Sequence, residues 1–524
     1  MIVAPLALLL LVVIAYGLFL RRTHAPVPSD VKSLAVLPFK NIGGGPQDEY
    51  LSDGIADELI AKLTKLKTIR VVSLPVAMRY KNSLKDAAEI GRELGVDAVI
   101  SGTVRKAGER FRVGVHLIST VDGFTMWADD GFDESMQNLL DAEGRLAEAV
   151  VTKLKGELTP QDRALVAKNN TSNAEAYELL LRGKEQLRRG ELESARQMFE
   201  RATQLDPKFA DGYAWLAFAL GEQFHSGEGD RRVLDAAFAS ANKALALDPN
   251  LIVARRALIT FYRNVSQTEE GLKQAKLALA TNPNDQEAIK ATAFAYFETG
   301  MVDRSIEFYN RALAADPADD EVRAALARSY LFAHEYQKGL DVLAAALARN
   351  NWLAMLLYGK LKQYDKVAEM YEQLHVNQPN NLLGYLDYGT ILKEAGQPKQ
   401  AREVWLEGAR VGEAQATKIE NVRTRIWLGH LYAELGERDK ALEQIKHVLA
   451  IEPNNAWVLH QTGEICANLG DTRQAVSYLR QANEHGWLEF QYYEALDKIL
   501  GDDSEYRAVR DALQKKVDDL RAQY

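Results

Sequence analysis

Residues 41–46 (Asn-Ile-Gly-Gly-Gly-Pro) have the composition of a loop that binds phosphate. They follow a predicted strand and precede a predicted helix, which is where a glycine-rich phosphate loop lies. The stretch lacks the Lys-Ser/Thr ending of such loops, and Asp48 and Glu49 would place negative charge beside a bound phosphate. We therefore expect a flexible turn and no nucleotide site here.

Two acidic clusters could serve acid–base catalysis or hold a cation. Asp53 and Asp57 lie four residues apart on a predicted helix with Glu58 beside them, but a solvated helix face is the favoured interpretation. Three aspartates within residues 129–133 lack the order and the glycine of a calcium-binding loop. No Ser/His/Asp or Cys/His set has a recognisable local signature, so we expect a non-catalytic protein without a metal ion or a cofactor.

The chain contains one cysteine, Cys466, and nine scattered histidines. A single cysteine excludes an intramolecular disulfide, and Cys466 occupies a repeat position that needs a medium-sized buried side chain, which favours core packing over a reactive thiol. The histidines show no metal-ligand spacing. The net charge of −9, with both signs mixed throughout, argues against a nucleic-acid-binding surface.

Regularly spaced prolines organise the last two-thirds of the chain. Each closes an amphipathic, alanine-rich stretch, and the intervals from Pro249 to Pro283 and from Pro283 to Pro317 are both 34 residues. Gly429 and Gly463 are also 34 residues apart. A fixed period of this length predicts a solenoid of helical hairpins, with proline after the second helix because it cannot continue that helix. Such arrays bind other proteins far more often than they catalyse reactions.

These units resemble the tetratricopeptide repeat family, with its order of small and aromatic residues before the proline. We count about nine units from Ala174 to Trp487, and irregular intervals predict a truncated first helix near Trp352–Gly359 and extra residues near Phe224–Arg232 and Val411–Ile419. Small or aromatic side chains are needed where the two helices of a hairpin approach closely. The residues assigned to this packing role are Gly183, Ala195, Ala293, Tyr296, Ala312, Gly389, Ala401, Gly429, Tyr432, Ala441, Gly463 and Ala475.

The concave face of the solenoid is the expected binding site. Aromatic and charged groups along a groove suit an extended peptide or a helix of a partner protein. An equally supported alternative is that Phe294 and Phe332 only pack against neighbouring helices. The Lys/Asn set of repeat domains that clamp a C-terminal carboxylate is missing, and self-association is left open. The side chains that the repeat pattern places on this face are Glu287, Lys290, Phe294, Phe297, Glu298, Arg328, Leu331 and Phe332.

Residues 2–20 form an uninterrupted apolar stretch that is followed by Arg21 and Arg22. At about 1.5 Å per residue, a helix of this length crosses a bilayer core. A cleaved signal peptide is the alternative, but it would need a basic segment before the apolar stretch, and Pro26 disfavours cleavage after residue 25. The two arginines would keep the bulk of the chain in the cytoplasm by the positive-inside rule.

Residues 31–157 do not follow the helical repeat. Strands alternate with helices and end in a hairpin, an order that indicates a small α/β sandwich. The predicted strands lie at 33–39, 69–73, 99–105 and 110–119, of which the last two form the hairpin, and the predicted helices lie at 48–66, 84–94 and 136–154.

This segment resembles the TolB amino-terminal-like module of bacterial proteins. The resemblance implies a module that follows a membrane helix, precedes tetratricopeptide repeats and lies outside the cytoplasm. It also implies an effector upstream, such as a winged-helix regulator similar to CadC, a nucleotide cyclase or a Ser/Thr kinase. The sequence shows no effector before the apolar stretch, so either the chain is a stand-alone sensor or its start is wrongly assigned and the effector is missing. The matching segments are residues 34–39 (Leu-Ala-Val-Leu-Pro-Phe), 50–55, 90–97, 102–105 and 123–127.

The expected fold is mainly α: an N-terminal transmembrane helix, a small TolB-like α/β domain and an α-solenoid of about nine tetratricopeptide hairpins. The predicted function is a membrane-anchored, non-catalytic scaffold or sensor that binds protein or peptide partners, and the alternative is the sensor half of a signalling receptor. We expect a single-pass inner-membrane protein with its bulk in the periplasm, the cytoplasmic face being the alternative. The predicted domains are an anchor at 1–22, a spacer at 23–30, the α/β domain at 31–157, a linker at 158–173, the repeats at 174–487 and capping helices at 488–524.

Overall fold

The computed structural model describes residues 31–66, 69–155, 159–167, 169–225, 231–265, 267–417 and 421–524. Over these residues the chain is mainly helical, and it separates into two compact units. The first unit ends at Ala219 and includes Ala246–Asp248, whereas the second comprises Leu220–Leu245 and Pro249–Tyr524. The predicted domain bounds stay predictions.

The predicted fold class needs one correction, which concerns the membrane. Across the described ranges, no helix is both long enough and apolar enough to span a bilayer. The two longest helices, Pro398–Ala416 and Ser504–Gln523, have 19 and 20 residues but carry many charged side chains. The transmembrane helix of the predicted fold class is therefore not supported. The predicted location, in the inner membrane by a single span with most of the chain in the periplasm, is corrected for the same reason. The apolar stretch at residues 2–20 itself lies outside the described residues.

A six-stranded sheet forms the centre of the first unit. Its strands are Ser33–Val36 (β1), Lys40–Asn41 (β2), Arg70–Val71 (β3), Ala98–Ala107 (β4), Arg110–Ser119 (β5) and Thr125–Ser135 (β6). Their order is β3-β1-β4-β5-β6, with β2 beside β4. β1 is parallel to β3 and β4, whereas the β4–β5 and β5–β6 pairs are antiparallel. The hairpin predicted at 99–105 and 110–119 is confirmed, but β6 was not predicted because its acidic sequence lacks an apolar alternation.

Helices pack against this sheet. They are Glu49–Thr64 (α1), Leu74–Met78 (α2), Ala87–Glu93 (α3) and Leu139–Lys155 (α4), and a fifth helix, Pro160–Ala167 (α5), packs against α1 and α4. Ile55 and Leu59 of α1 are buried, as is Phe111 of β5, so the apolar side of α1 contributes to the core of the unit. The predicted helices at 48–66, 84–94 and 136–154 correspond to α1, α3 and α4 with shifted ends.

Within the described ranges, nine consecutive helix pairs follow, as expected for tetratricopeptide repeats. Where the linking residues are described, short turns join the paired helices, and the second helix of most pairs ends before a proline. The pairs are Ala174–Arg188 with Leu192–Leu205 (α6, α7), Ala210–His225 with Arg231–Leu247 (α8, α9), Ile252–Asn264 with Thr268–Thr281 (α10, α11), Gln286–Glu298 with Val302–Ala315 (α12, α13), Asp320–Phe332 with Tyr336–Leu343 (α14, α15), Asn351–Lys360 with Tyr364–Asn377 (α16, α17), Leu382–Glu394 with Pro398–Ala416 (α18, α19), Val422–Leu435 with Arg438–Ile451 (α20, α21) and Ala456–Asn468 with Thr472–Glu484 (α22, α23).

The helices of a pair approach so closely that a methyl group would not fit at several glycines. A Cβ atom on Gly183 would lie 2.4 Å from Phe199, and one on Gly389 would lie 2.1 Å from Trp405 Nε1. All twelve residues assigned to repeat packing are buried. These positions thus lie at the close helix–helix contacts of the repeats.

The irregular repeat lengths have local causes. The interval from Pro317 to Pro379 is short because α15 has 8 residues, continues as a 3₁₀ helix, and is followed by α16 with only 10 residues. The interval from Pro379 to Pro453 is long because α19 extends over 19 residues. Two further helices, Tyr493–Leu500 (α24) and Ser504–Gln523 (α25), end the second unit.

Candidate partner-binding groove

The first helices of three successive pairs, α10, α12 and α14, contribute the surface that we name the inner face. Near the starts of these helices, Glu287 lies 2.5 Å from Arg256 Nη2 and 2.6 Å from Lys290 Nζ. Lys290 Nζ is also 3.4 Å from Asp319 Oδ2, the carboxylate that caps α14. All four side chains are half-buried. Because they belong to three successive repeats, their ion pairs connect these repeats along one line.

A second ionic line lies near the ends of the same helices. Glu298 accepts a contact of 2.8 Å from Arg263 Nε, and Arg328 Nη2 lies 3.7 Å from its other oxygen. Both guanidinium groups also face aromatic rings, since Arg263 lies 5.4 Å from the centre of Phe294 and Arg328 lies 4.2 Å from that of Phe297. Because the Glu298 side chain is only 3% exposed, these charges interact in a partly desolvated setting.

The structure brings most of the predicted groove residues together and separates one. Phe297 and Phe332 meet at 5.7 Å between ring centres. Phe294 is half-buried and packs against the core of the second unit, as the packing alternative predicted for this residue. Leu331 belongs to a different core cluster with Leu340, so it does not line the inner face. The partner-binding role of these residues stays a prediction.

The chain's own C-terminal segment lies on the inner face, which the sequence pattern did not suggest. Tyr492 lies 4.8 Å from Phe332 between ring centres. The side-chain amide of Gln491 donates a hydrogen bond of 3.2 Å to the backbone oxygen of Phe297. The backbone oxygen of Leu488 passes within 2.8 Å of the position that a Cβ on residue 300, a glycine, would take. These contacts join residues 160 to 194 positions apart in sequence, and a repeat pattern with a period of 34 residues does not predict such contacts.

Glu489 brings a second carboxyl group to the second ionic line. Burial raises the pKa of Glu489 well above its usual range, and the neighbouring Glu298 carboxylate raises it further. Arg263 and Arg328 oppose this rise in the pKa of Glu489. Two carboxyl groups and two guanidinium groups therefore share one partly desolvated site.

A buried polar cluster lies on α20 and α22, away from any predicted site. His430 Nε2 and the amide oxygen of Gln461 are 3.0 Å apart, and the Gln461 amide nitrogen donates to Glu464 at 2.7 Å. Burial lowers the pKa of His430 to about 4 and that of His460 to about 3. Burial raises the pKa of Glu464 to about 8. His460 also stacks on Trp487, with ring centres 4.2 Å apart.

The acidic pair on α1 is not a solvated helix face, and that prediction is corrected. Asp53 is fully buried, and its Oδ2 lies 2.6 Å from Lys81 Nζ and 3.2 Å from Arg188 Nη2. One helical turn along, Asp57 lies 2.9 Å from Lys184 Nζ. The four-residue spacing of the two acids thus matches the four-residue spacing of two basic residues on α6. This pairing ties the α/β module to the first repeat within the first unit, and the matched spacing was a signal in the sequence.

The other chemical candidates are turns and surface ion pairs. The side chain of Asn41 donates to the backbone oxygen of Gly45 at 3.0 Å, which closes the glycine-rich stretch as a turn. Asp133 is paired with Arg110 at 2.7 Å and Arg112 at 2.8 Å across the edge of the sheet. In the described part of the chain, no group of three His, Cys, Asp or Glu side chains could hold a metal ion. Cys466 is buried, and burial raises the pKa of its thiol to about 12.

Protein-family models match three segments of the chain. Residues 265–328 and 422–455 match tetratricopeptide repeat models, so the repeats are confirmed. Residues 29–149 match the second domain of HilA/YgeH-like transcriptional regulators. The resemblance of this segment to the TolB amino-terminal-like module is therefore corrected to a HilA-like one.

Among proteins of known description, "Putative adenylate cyclase 3" of Rhizobium meliloti (strain 1021) is 31% identical over 188 residues. The matched segment covers 35% of this chain and about a third (32%) of that protein's length. Among solved structures, the chain is similar to PilF of Pseudomonas aeruginosa (20% identity, 41% of this chain and 96% of that chain, TM-score 0.34). A thermophilic tetratricopeptide repeat protein of Thermus thermophilus has 22% identity, covers 36% of this chain and 98% of that chain, and gives a TM-score of 0.31.

Proposed function

We propose that this chain is a non-catalytic regulatory protein that binds a protein or peptide partner on the inner face of α10, α12 and α14. The observation that carries the proposal is the pair of ionic lines on this face, one of which includes aromatic rings. Tetratricopeptide repeats generally bind protein or peptide partners, and the repeats of this chain match that family.

The chemistry of the inner face favours a peptide with both acidic and apolar side chains. Arg263 and Arg328 offer planar guanidinium groups that can bind a carboxylate through two hydrogen bonds. The half-buried Phe294 and Phe332 supply the apolar surface beside them, and the fully buried Phe297 packs against the ring of Phe332. Aromatic and arginine side chains are the types that contribute most to binding energy at protein interfaces.

The HilA-like module adds a regulatory element to this binding surface. The buried ion pairs of Asp53 and Asp57 join the module to α6, the first helix of the repeats. Removing one partner of a buried ion pair is costly, so the module and α6 are expected to move together. A partner that shifts the first repeat would therefore shift the α/β module with it.

The test is a selection of peptides from a displayed library on the full chain. We expect enriched peptides whose affinity falls about tenfold or more in the Arg328→Ala variant, because one charged, desolvated contact contributes at least about 1.4 kcal/mol. Arg410→Ala is the matched control, since Arg410 is an exposed arginine on α19. A selection that enriches no peptide, or peptides that bind both variants equally, would overturn the proposal.

A second candidate function is the regulatory half of a larger signalling protein. The match to a HilA-like regulator domain and the similarity to a protein named as an adenylate cyclase both favour it. The mass of the denatured polypeptide from its natural source separates the candidates. A polypeptide clearly larger than the 58.5 kDa of this chain would support a linked effector, whereas a polypeptide of 58.5 kDa would count against it.

A further inference from the structure

Residues 487–492 of the same chain cover the inner face, and we name them the cover segment. Its aromatic end meets the face where Tyr492 lies 4.8 Å from Phe332 and Gln491 donates to the backbone of Phe297. Its only acidic residue, Glu489, joins the ionic line of the same face. The segment therefore meets the arginines and the rings that the proposed function assigns to a partner.

Contacts on both sides hold the cover segment in place. At its start, Trp487 stacks on His460 with ring centres 4.2 Å apart. After it, Arg521 of α25 makes two contacts with the carboxylate of Asp303, at 2.6 and 2.8 Å, and Lys276 lies 4.2 Å from the ring centre of Tyr524. Lys276 belongs to α11 and Asp303 to α13, which are second helices of the repeats that carry the inner face. The C-terminal helices thus position the segment over the face.

The charges beneath the cover segment define what could replace it. Arg263 and Arg328 share one carboxylate of the repeats, Glu298, so the face without its cover has one positive charge in excess. Glu489 supplies the second carboxyl group. The residues that flank Glu489 are apolar or aromatic: Trp487, Leu488, Phe490 and Tyr492. An acidic residue among aromatic residues is therefore the chemistry that the face accepts.

Placing the cover segment on the inner face also costs free energy. In this position the carboxyl group of Glu489 is desolvated next to the carboxylate of Glu298, which is unfavourable for any acidic chain segment that binds there. An external peptide bears the same cost but can add contacts along the first ionic line, at Arg256 and Lys290. The internal segment is thus replaceable by a longer ligand.

We propose that the cover segment is an internal pseudo-ligand that keeps the inner face closed, and that the partner is a protein whose acidic–aromatic segment, with a carboxylate followed by an aromatic ring three residues later, displaces it. This inference rests on the proposed function and specifies its ligand and its regulation. An equilibrium between covered and open chains sets the apparent affinity, since only the open fraction binds the ligand.

The test uses the full chain and a fluorescent peptide of its own residues 486–494 (Gly-Trp-Leu-Glu-Phe-Gln-Tyr-Tyr-Glu). The opened variant carries Gln491→Ala and Tyr492→Ala, which remove the hydrogen bond to the Phe297 backbone and the ring contact with Phe332. We expect it to bind the peptide about tenfold or more tightly than the unchanged chain. The control is Glu494→Gln, because the exposed Glu494 lies beyond the cover segment, 3.8 Å from His334. It should bind the peptide as the unchanged chain does. Adding Arg328→Ala to the opened variant should abolish the gain.

Equal binding by the opened and unchanged chains would overturn the inference, and so would a gain that survives Arg328→Ala. Amide hydrogen exchange of the unchanged chain gives a second measurement that does not depend on any variant folding. Excess peptide should speed exchange at residues 488–493, and unchanged exchange at saturating peptide would contradict displacement.

The two proposals fail in different ways. If library peptides need Arg328 but bind the opened and unchanged chains equally, the inner face binds a partner and the cover is not a regulator. If no library peptide needs Arg328, while the chain's own peptide still binds the opened variant, the inner face recognises only its own segment. The partner function would then be wrong, and the closure of the face would stand.

Discussion

Replacing Glu464 by glutamine should stabilise the second unit in a pH-dependent way. Burial raises the pKa of Glu464 to about 8 in the folded chain, against a usual value of 4.5. Between these values the unfolded chain loses the proton while the folded chain keeps it, so the stability of the unchanged chain falls as the pH rises toward 8. Glutamine carries no such proton, and its side chain still offers an oxygen to Gln461.

The size of the effect follows from the shift in the pKa. Each pKa unit corresponds to about 1.4 kcal/mol, so a shift of about 3.5 units sets an upper bound of about 5 kcal/mol. Because the Glu464 side chain keeps 18% exposure, solvent screening lowers the expected gain to about 2–3 kcal/mol at pH 9. At about 2–4 °C per kcal/mol, the melting temperature of the second unit should rise by about 4–12 °C.

The assay is thermal unfolding of both full chains by calorimetry at pH values from 4.5 to 9. The variant and the unchanged chain should melt together near pH 4.5 and diverge as the pH rises. The neighbouring His430 and His460 are present in both chains, so their contributions cancel in the difference. A difference in melting temperature that stays constant across this range would refute the reasoning, since it would show that Glu464 does not titrate with a raised pKa.

Two further predictions concern the first unit and the repeat packing. Asp53→Ala should lower the free energy of unfolding of the first unit in urea by about 3 kcal/mol, because it leaves Lys81 and Arg188 without their buried carboxylate. Asp57→Ala removes the carboxylate of a more exposed ion pair and should lower it by less. Equal losses in the two variants would contradict the burial argument. Gly389→Ala should destabilise the second unit by about 1–3 kcal/mol because its Cβ would lie 2.1 Å from Trp405 Nε1, and an unchanged melting temperature would show that the indole moves freely.

The repeat architecture could be predicted from the sequence because its cause is local. Each hairpin needs small residues at fixed positions and a proline after its second helix, so the 34-residue period appears between corresponding residues of successive units. The same reasoning located the shortened helix, which the structure gives as Asn351–Lys360, and the extended one, Pro398–Ala416. Side chains at fixed repeat positions, such as Phe297 and Arg328, could likewise be assigned to one face.

What the sequence did not reveal depends on long-range contacts. The hydrogen bond from Gln491 to the backbone of Phe297 joins positions 194 residues apart, and the repeat period does not predict it. The burial of Asp53 was missed because its partner Arg188 lies 135 residues away. The family of the α/β module was misassigned because the matching segments were short and covered only part of the module, whereas the family model matches residues 29–149 as a whole.

The central claim is that a partner peptide binds on the inner face, and the most direct measurement is where a selected peptide makes contact. A photo-crosslinking residue is placed at Phe294 on α12 or, as a control, at Leu277, a 47%-exposed position on α11. Irradiation with the selected peptide should yield a crosslinked product from position 294 and none from position 277. A product from position 277 alone would place the peptide on another surface and contradict the account.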